Sequence, residues 1–212
     1  MFKRQVFLWS ILISNYFSQA NANETKENVI RKTFYFIRHG TTSYNLERIC
    51  QGQADISLHE IGRAEARRVS LKNTGITHIF YSPLSRTFET TQIISQEFDC
   101  PKMAIADLKE RHFGEFENKK WPFSKEEFAK THKTFEPNFG EKWSQFFNRV
   151  INGINFGLAN SDCPLFVGHS GTFQAIMHAL GLEYKSANNC ELIKFIPNID
   201  DQGWTVTKDI VC

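Results

Sequence analysis

What this 212-residue chain lacks narrows its chemistry before any motif is read. It has no apolar run long enough to be read as a membrane span, no internal repeat and no low-complexity segment. Its five cysteines, Cys50, Cys100, Cys163, Cys190 and Cys212, never form a C-x-x-C pair, so neither a zinc site nor a thiol-redox motif is indicated. Odd in number and widely spaced, they read as buried or surface thiols, with one bridge allowed between partners the sequence does not choose. There is no H-E-x-x-H, no H-x-E with paired cysteines and no carboxylate at ligand spacing, so the histidines carry no metal signature. No Lys/Arg stripe points to nucleic acid. What is abundant is phenylalanine, with 20 residues, most of them expected in the core.

The N-terminus has a composition of its own. Lys3 and Arg4 precede the short apolar stretch Val6–Ile13, and Ala20-Asn21-Ala22 follows as an A-x-A cleavage site. That order predicts a secretory signal peptide over residues 1–22, and with it export to a periplasmic or extracellular space. An uncleaved anchor is the alternative, but the apolar stretch is too short to span a bilayer. Cleavage after Ala22 leaves 190 residues carrying 23 basic and 23 acidic side chains, a net charge of zero. Residues 23–32 are polar and read as a flexible lead-in. A domain over 33–212 follows, with no stable membrane insertion once the signal is removed.

Strand and helix patterns alternate over most of that domain. Thr33–Arg38, Thr77–Tyr81 and Pro164–Val167 are short β-branched or aromatic runs, Lys102–Ala106 is a weaker one, and Glu191–Ile196 and Trp204–Thr207 close the chain. Residues 40–56 read as loop. Ser57 and Glu60 form a capping box that starts a helix to about Lys72, and Ser82-Pro83 reads as a cap and first helical position for the next. Apolar residues from Trp143 to Leu158 recur at three- and four-residue steps in a strong amphipathic helix. The alternation predicts an α/β fold, a three-layer α/β/α sandwich with a mostly parallel sheet. Residues 107–140 break the pattern and read as a lid-like insertion, with a short helix started by a capping box at Ser124 and Glu127.

Four features carry chemistry. Arg38-His39-Gly40 ends the first strand, and Gly168-His169-Ser170-Gly171 repeats that strand-to-turn placement later. Ligands of α/β folds bind at such strand ends. Arg86 falls in the first turn of a helix, where a cation opposes the helix dipole and a bound anion would relieve it. Glu110 sits in Leu108-Lys109-Glu110-Arg111-His112-Phe113-Gly114. Taken singly, Arg86 reads as a solvated arginine, Glu110 as one surface carboxylate among 23 acidic residues, and His169 as a hydrogen-bonded core histidine. Taken together, two guanidinium groups beside two imidazoles repel a metal cation and suit a dianionic phosphate.

Phe36–Thr42 with Asn45 resembles the signature of the histidine phosphatase superfamily, the phosphoglycerate mutase-like fold. Gln51–Leu58 with Gly62 and Ala66, then Ser82–Thr87 with Thr90, then Leu108, Glu110 and Gly114, then Gly140-Glu141, then Val167–Gly171 resemble its later motifs in order, over about residues 33–182. The resemblance implies that His39 is the nucleophile and forms a phosphohistidine. It implies that Arg38, Arg86 and His169 bind the phosphoryl oxygens, with His169 most useful as imidazolium and Asn45, Gln51 and Gly52 adding contacts. Glu110 would protonate the leaving oxygen and later activate water, a role suited to a carboxyl beside aromatic residues such as Phe113 and Phe116. No cofactor is required.

The implied activity is hydrolysis of a small phosphomonoester. Phosphoglycerate mutase-type transfer is the first alternative, because the Leu108–Gly114 segment leans towards the mutases. Residues 115–140 contain no arginine to clamp a second anionic group, which favours the phosphatase. A non-catalytic phosphate-binding module ranks lower, since nucleophile and acid are both present. Lys119-Lys120-Trp121 and nearby aromatics suit a substrate with a flat or apolar body.

Overall fold

The computed structural model describes residues 29–183 and 186–208, so the expected signal peptide, most of the lead-in and Cys212 lie outside the described residues. Six strands form one sheet: β1 (Phe34–Arg38), β2 (His78–Tyr81), β3 (Lys102–Ala104), β4 (Pro164–Gly168), β5 (Leu192–Pro197) and β6 (Trp204–Lys208). Their order is β3-β2-β4-β1-β5-β6. β1 pairs in parallel with β4, and β2 in parallel with β4 and β3, while β5 runs antiparallel to both β1 and β6. The mostly parallel sheet is as expected.

Period-two alternation splits the central strands between two cores. Phe34, Phe36, Phe80 and Phe166 point to one face, against α5 (Trp143–Ala159) and α6 (Ser170–Ala179). Tyr35, Ile37, Ile79, Leu165 and Val167 point to the other, against α2 (Glu60–Arg67) and α3 (Ser85–Ile94). Central strands buried on both faces read as unbroken apolar runs, which is how β1 and β4 look in the sequence. Phenylalanine fills the first face: Phe34 stacks on Phe195 at 4.6 Å and meets Phe166 edge-on at 5.8 Å. Among the described residues no helix is long and apolar enough to cross a membrane.

Local expectations fail where tertiary contacts intervene. Residues 40–56, expected as loop, contain α1 (Ser43–Glu47), capped reciprocally by Thr42 and Asn45. The next helix begins not at Ser57 but after His59, whose side chain accepts from Ile61 N at 3.2 Å. Leu58 N donates to the Glu89 carboxylate and His59 N to Thr41 O, and these long-range bonds hold the chain extended past the capping box. Ser82 does not cap α3: the helix starts at Ser85, whose N–H and hydroxyl both donate to Asp55 at 2.7 and 2.8 Å. The lead-in is fixed over its described part, since Val29 is buried and the Arg31 guanidinium donates to the carbonyls of Asn198 and Gln202. The capping box at Ser124 and Glu127 forms as expected and starts α4 (Lys125–Thr131). The four described cysteines, Cys50, Cys100, Cys163 and Cys190, are free thiols.

Candidate active site

The sheet order decides the site. β1 and β4 are parallel neighbours with Arg38 opposite Gly168, so His39 and His169 each leave the same end of adjacent strands. His39 N donates to Gly168 O at 3.0 Å, and the two imidazole centroids are 5.3 Å apart. Arg38, His39, Arg86 and Glu110 line one cavity of about 530 Å³, with Asn45, Gln51 and Gly52 on its wall. His169 is fully buried beside His39 and is not among the residues that line the cavity.

The hydrogen bonds orient His39. Its Nδ1 lies 2.8 Å from Gly40 O, and a ring nitrogen facing a carbonyl must be the N–H donor. The lone pair is therefore on Nε2. Burial, then the charges of Arg86 and Arg38, push the pKa of His39 well below 6.5, which keeps that lone pair free of a proton. The His39 carbonyl accepts from Asn189 Nδ2 at 2.6 Å.

His169 Nε2 pairs with Ser82 Oγ at 2.8 Å, so the serine expected to cap a helix serves the site instead. Burial, then Arg86, His39, Arg38 and Arg149, push the pKa of His169 well below 6.5, which favours the neutral ring. Its Nδ1 is buried with no hydrogen-bond partner among the described residues, and so is Nε of Arg86. Buried polar atoms rarely stay unpaired.

Arg86 does not lean on the dipole of α3. Its Nη1 and Nη2 donate to Ala54 O at 2.9 Å and Gly52 O at 2.7 Å, and burial lowers its pKa to about 10, still protonated at neutral pH. Gly52 and Gln51 thus shape the site partly through backbone, since the 51–54 turn holds Arg86. Gly52 adopts φ +49°, and a Cβ there would fall 2.0 Å from the Glu117 carboxylate. Asn45 spends Oδ1 on Thr42, leaving Nδ2 as a donor. Arg38 Nη1 donates to Ala187 O at 3.2 Å.

Glu110 is 9% exposed and tied by both oxygens: Oε1 accepts from Arg111 N at 2.8 Å and Oε2 from Gly171 N at 3.1 Å. Arg149 donates to the carbonyls of Asp107, Lys109 and Glu110 while pairing both its Nε and Nη2 with Glu141. Arg111, 2% exposed, donates to the carbonyls of Glu141, His132 and Phe135 and so fastens the 107–140 segment. Asn189 and Arg149 escaped the sequence reading, and Ser82, Arg111 and Glu141 lay inside recognised motifs without being given these roles. Each acts through a residue distant in the chain, which no local pattern shows. Lys119 and Lys120, expected near substrate, do not line the cavity, whereas Trp121 does.

Two consequences are measurable. The His39 turn crosses α2 backbone to backbone: a Cβ on Gly62 would lie 2.1 Å from Thr41 O, and one on Gly40 2.5 Å from Gly62 O. Gly62→Ala is expected to cost about 1–3 kcal/mol, read as a lower urea midpoint. The second consequence concerns pH. Below 6.5 the unfolded chain protonates both histidines, while the fold keeps them neutral. The unfolded state then binds more protons, so stability is present above 6.5 and lost as pH falls towards the native values. The slope reaches up to about 1.4 kcal/mol per pH unit for each histidine. Urea midpoints between pH 7 and 5 should fall, and fall less steeply in His39→Asn; equal slopes would show that His39 does not resist protonation.

Two imidazoles and Arg38 at neighbouring parallel strand ends, with Arg86 from α3 and a carboxyl on the cavity that Arg38 and His39 line, define a class. The chain matches the histidine phosphatase superfamily (branch 1) over residues 34–208 and belongs to that superfamily, whose members are phosphoryl-transfer enzymes. It is 36% identical over 142 residues to "Phosphoglycerate mutase-like protein 4" of Arabidopsis thaliana, covering 60% of this chain and 61% of that protein, about three fifths of its length. It is 33% identical over 146 residues to "Probable phosphoglycerate mutase GpmB" of Proteus mirabilis, covering 64% and 68%. The solved alpha-ribazole phosphatase of Shigella flexneri superposes with a TM-score of 0.69 at 20% identity over 83% of this chain and 95% of that one, a likeness of fold.

Proposed function

We propose that this protein is a phosphomonoester phosphatase acting through a phosphohistidine on His39. The observation that carries the reading is the hydrogen bond from His39 Nδ1 to Gly40 O, which leaves Nε2 as an unprotonated nucleophile among cationic donors. His39 Nε2 attacks phosphorus, the bond to the leaving oxygen breaks, and Glu110 gives that oxygen its proton. Water then attacks the phosphohistidine, Glu110 takes the water proton, and the N–P bond breaks to release phosphate. Arg38, Arg86 and His169 stabilise the equatorial oxygens as charge redistributes, and Asn45 adds a neutral donor. Gln51 and Gly52 contribute by holding the turn on which Arg86 rests.

Hydrolysis is preferred over mutase transfer because residues 115–140 carry no arginine and the described cavity wall offers only Arg48 beyond the cations of the phosphoryl site. The names of the phosphoglycerate mutase-like relatives favour the second reading, transfer between positions of phosphoglycerate. A panel of phosphomonoesters decides, scored for free phosphate and for phosphoglycerate isomerisation. Phosphate release lost in His39→Ala supports the phosphatase; isomerisation without release supports the mutase; binding of phosphate with neither supports a non-catalytic module. Export by the predicted signal peptide is part of the proposal, and is tested by fractionating cells that express the full chain.

A further inference from the structure

The cavity joins two unlike sets of side chains. Beyond the phosphoryl-binding groups, Phe113, Trp121, Phe123 and Phe128 line it together with Ile49. These rings form one cluster: Trp121 lies 5.1 Å from Phe113, 5.5 Å from Phe123 and 4.8 Å from Phe128 between centroids. Phe116 and Phe135 back the cluster, 5.2 Å apart, and the Arg111 guanidinium lies 5.6 Å over Phe113. A small core built only to stabilise the 107–140 segment would bury these rings. None of the six is fully buried, and four of them face the cavity.

The wall is also fixed in place. Trp121 N donates to Arg48 O at 2.8 Å, Cys50 N to Lys119 O and Asn118 N to Cys50 O, both at 2.9 Å. Residues 118–121 thus run as a short antiparallel ladder beside 48–50, with Ile49 opposite Lys120. The Phe113 amide is held by the Glu117 carboxylate at 2.8 Å. Rigid aromatic surface offered to a cavity binds flat apolar groups with little ordering cost. Among the described lining residues Arg48 is the only charged group outside the phosphoryl site, and its guanidinium is turned to Phe123 O at 3.5 Å.

We propose that this wall receives the leaving group, and that the substrate is a phosphate monoester of an uncharged alcohol bearing an aromatic or heteroaromatic ring. The inference rests on the phosphatase reading of the same cavity. It is tested with phosphonates, which bind without turnover. Calorimetry on the wild-type protein should find benzylphosphonate bound about tenfold or more tighter than ethylphosphonate. That ratio should fall to about two or less in Trp121→Leu or Phe128→Leu. Because the readout is a ratio within one protein, losses common to both ligands cancel, and the wild-type ratio stands if a variant fails to fold. Equal affinities overturn the inference, as does tighter binding of 3-phosphonopropionate, whose carboxylate would need Arg48. Failure of all three to bind overturns both readings. A benzyl preference without phosphate release from benzyl phosphate would sink only the hydrolytic assignment.

Discussion

His39→Ala is expected to lower phosphate release by about 10⁴-fold or more, the scale of loss when a covalent nucleophile is removed. The fold should survive, because the imidazole is buried as a neutral group beside two cations and its removal leaves no buried charge unpaired. The Nδ1 bond to Gly40 O is lost, but that carbonyl sits at a turn held independently by Gly40 N to Thr90 Oγ1 at 3.0 Å and Asn189 to the His39 carbonyl. Wild-type protein quenched during turnover of a labelled monoester should carry a phosphoryl group that is labile to acid and stable to base, as a phosphoramidate is. The variant should carry none. Undiminished turnover in His39→Ala, or a label that survives acid, would remove His39 from the role.

Glu110→Gln is expected to lower turnover of alkyl monoesters by about 10²- to 10⁴-fold, the range of general acid–base assistance. The loss should depend on the leaving group. With a nitrophenyl ester the leaving oxygen needs no proton, so His39 is phosphorylated at near wild-type speed. The second half still lacks its base. Rapid mixing should therefore show a burst of nitrophenolate stoichiometric with enzyme, followed by slow turnover. Equal losses on both ester types would mean that the substitution only disturbs geometry. Gly171→Ala tests the placement of that carboxyl: its Cβ would fall 2.2 Å from Glu110 Oε1 and displace it, so it should slow alkyl esters and give the same nitrophenolate burst.

Some elements were legible because their determinants are local. The alternation of Phe34, Tyr35, Phe36 and Ile37 specifies a strand buried on both faces wherever it is placed. The recurrence from Trp143 to Leu158 specifies an amphipathic helix, and α5 buries the residues expected. The capping box at Ser124 formed, but the one at Ser57 did not, although both have the same sequence form. A cap is worth about 1 kcal/mol, and the bonds of Leu58 to Glu89 and His59 to Thr41 outweigh it. Among the described residues no comparable long-range backbone bond draws Ser124 out of its cap; its amide and hydroxyl pair with Glu127.

The residues of the site divide the same way. Composition and order within single segments determined that Arg38-His39-Gly40 and Gly168-His169-Ser170 would each stand at a strand end, because a strand running into glycine must turn there. Whether those two ends would be neighbours was decided by the pairing of β1 with β4, a contact between distant segments. The tertiary structure alone turned Ser82 from a helix cap into the partner of His169, gave the start of α3 to Asp55, and aimed Arg86 at the 52–54 carbonyls. Side-chain types and turns are written locally. The hydrogen-bond partner of a buried donor is chosen by whatever acceptor the packed chain brings within 3 Å, and that choice exists only once the sheet has assembled.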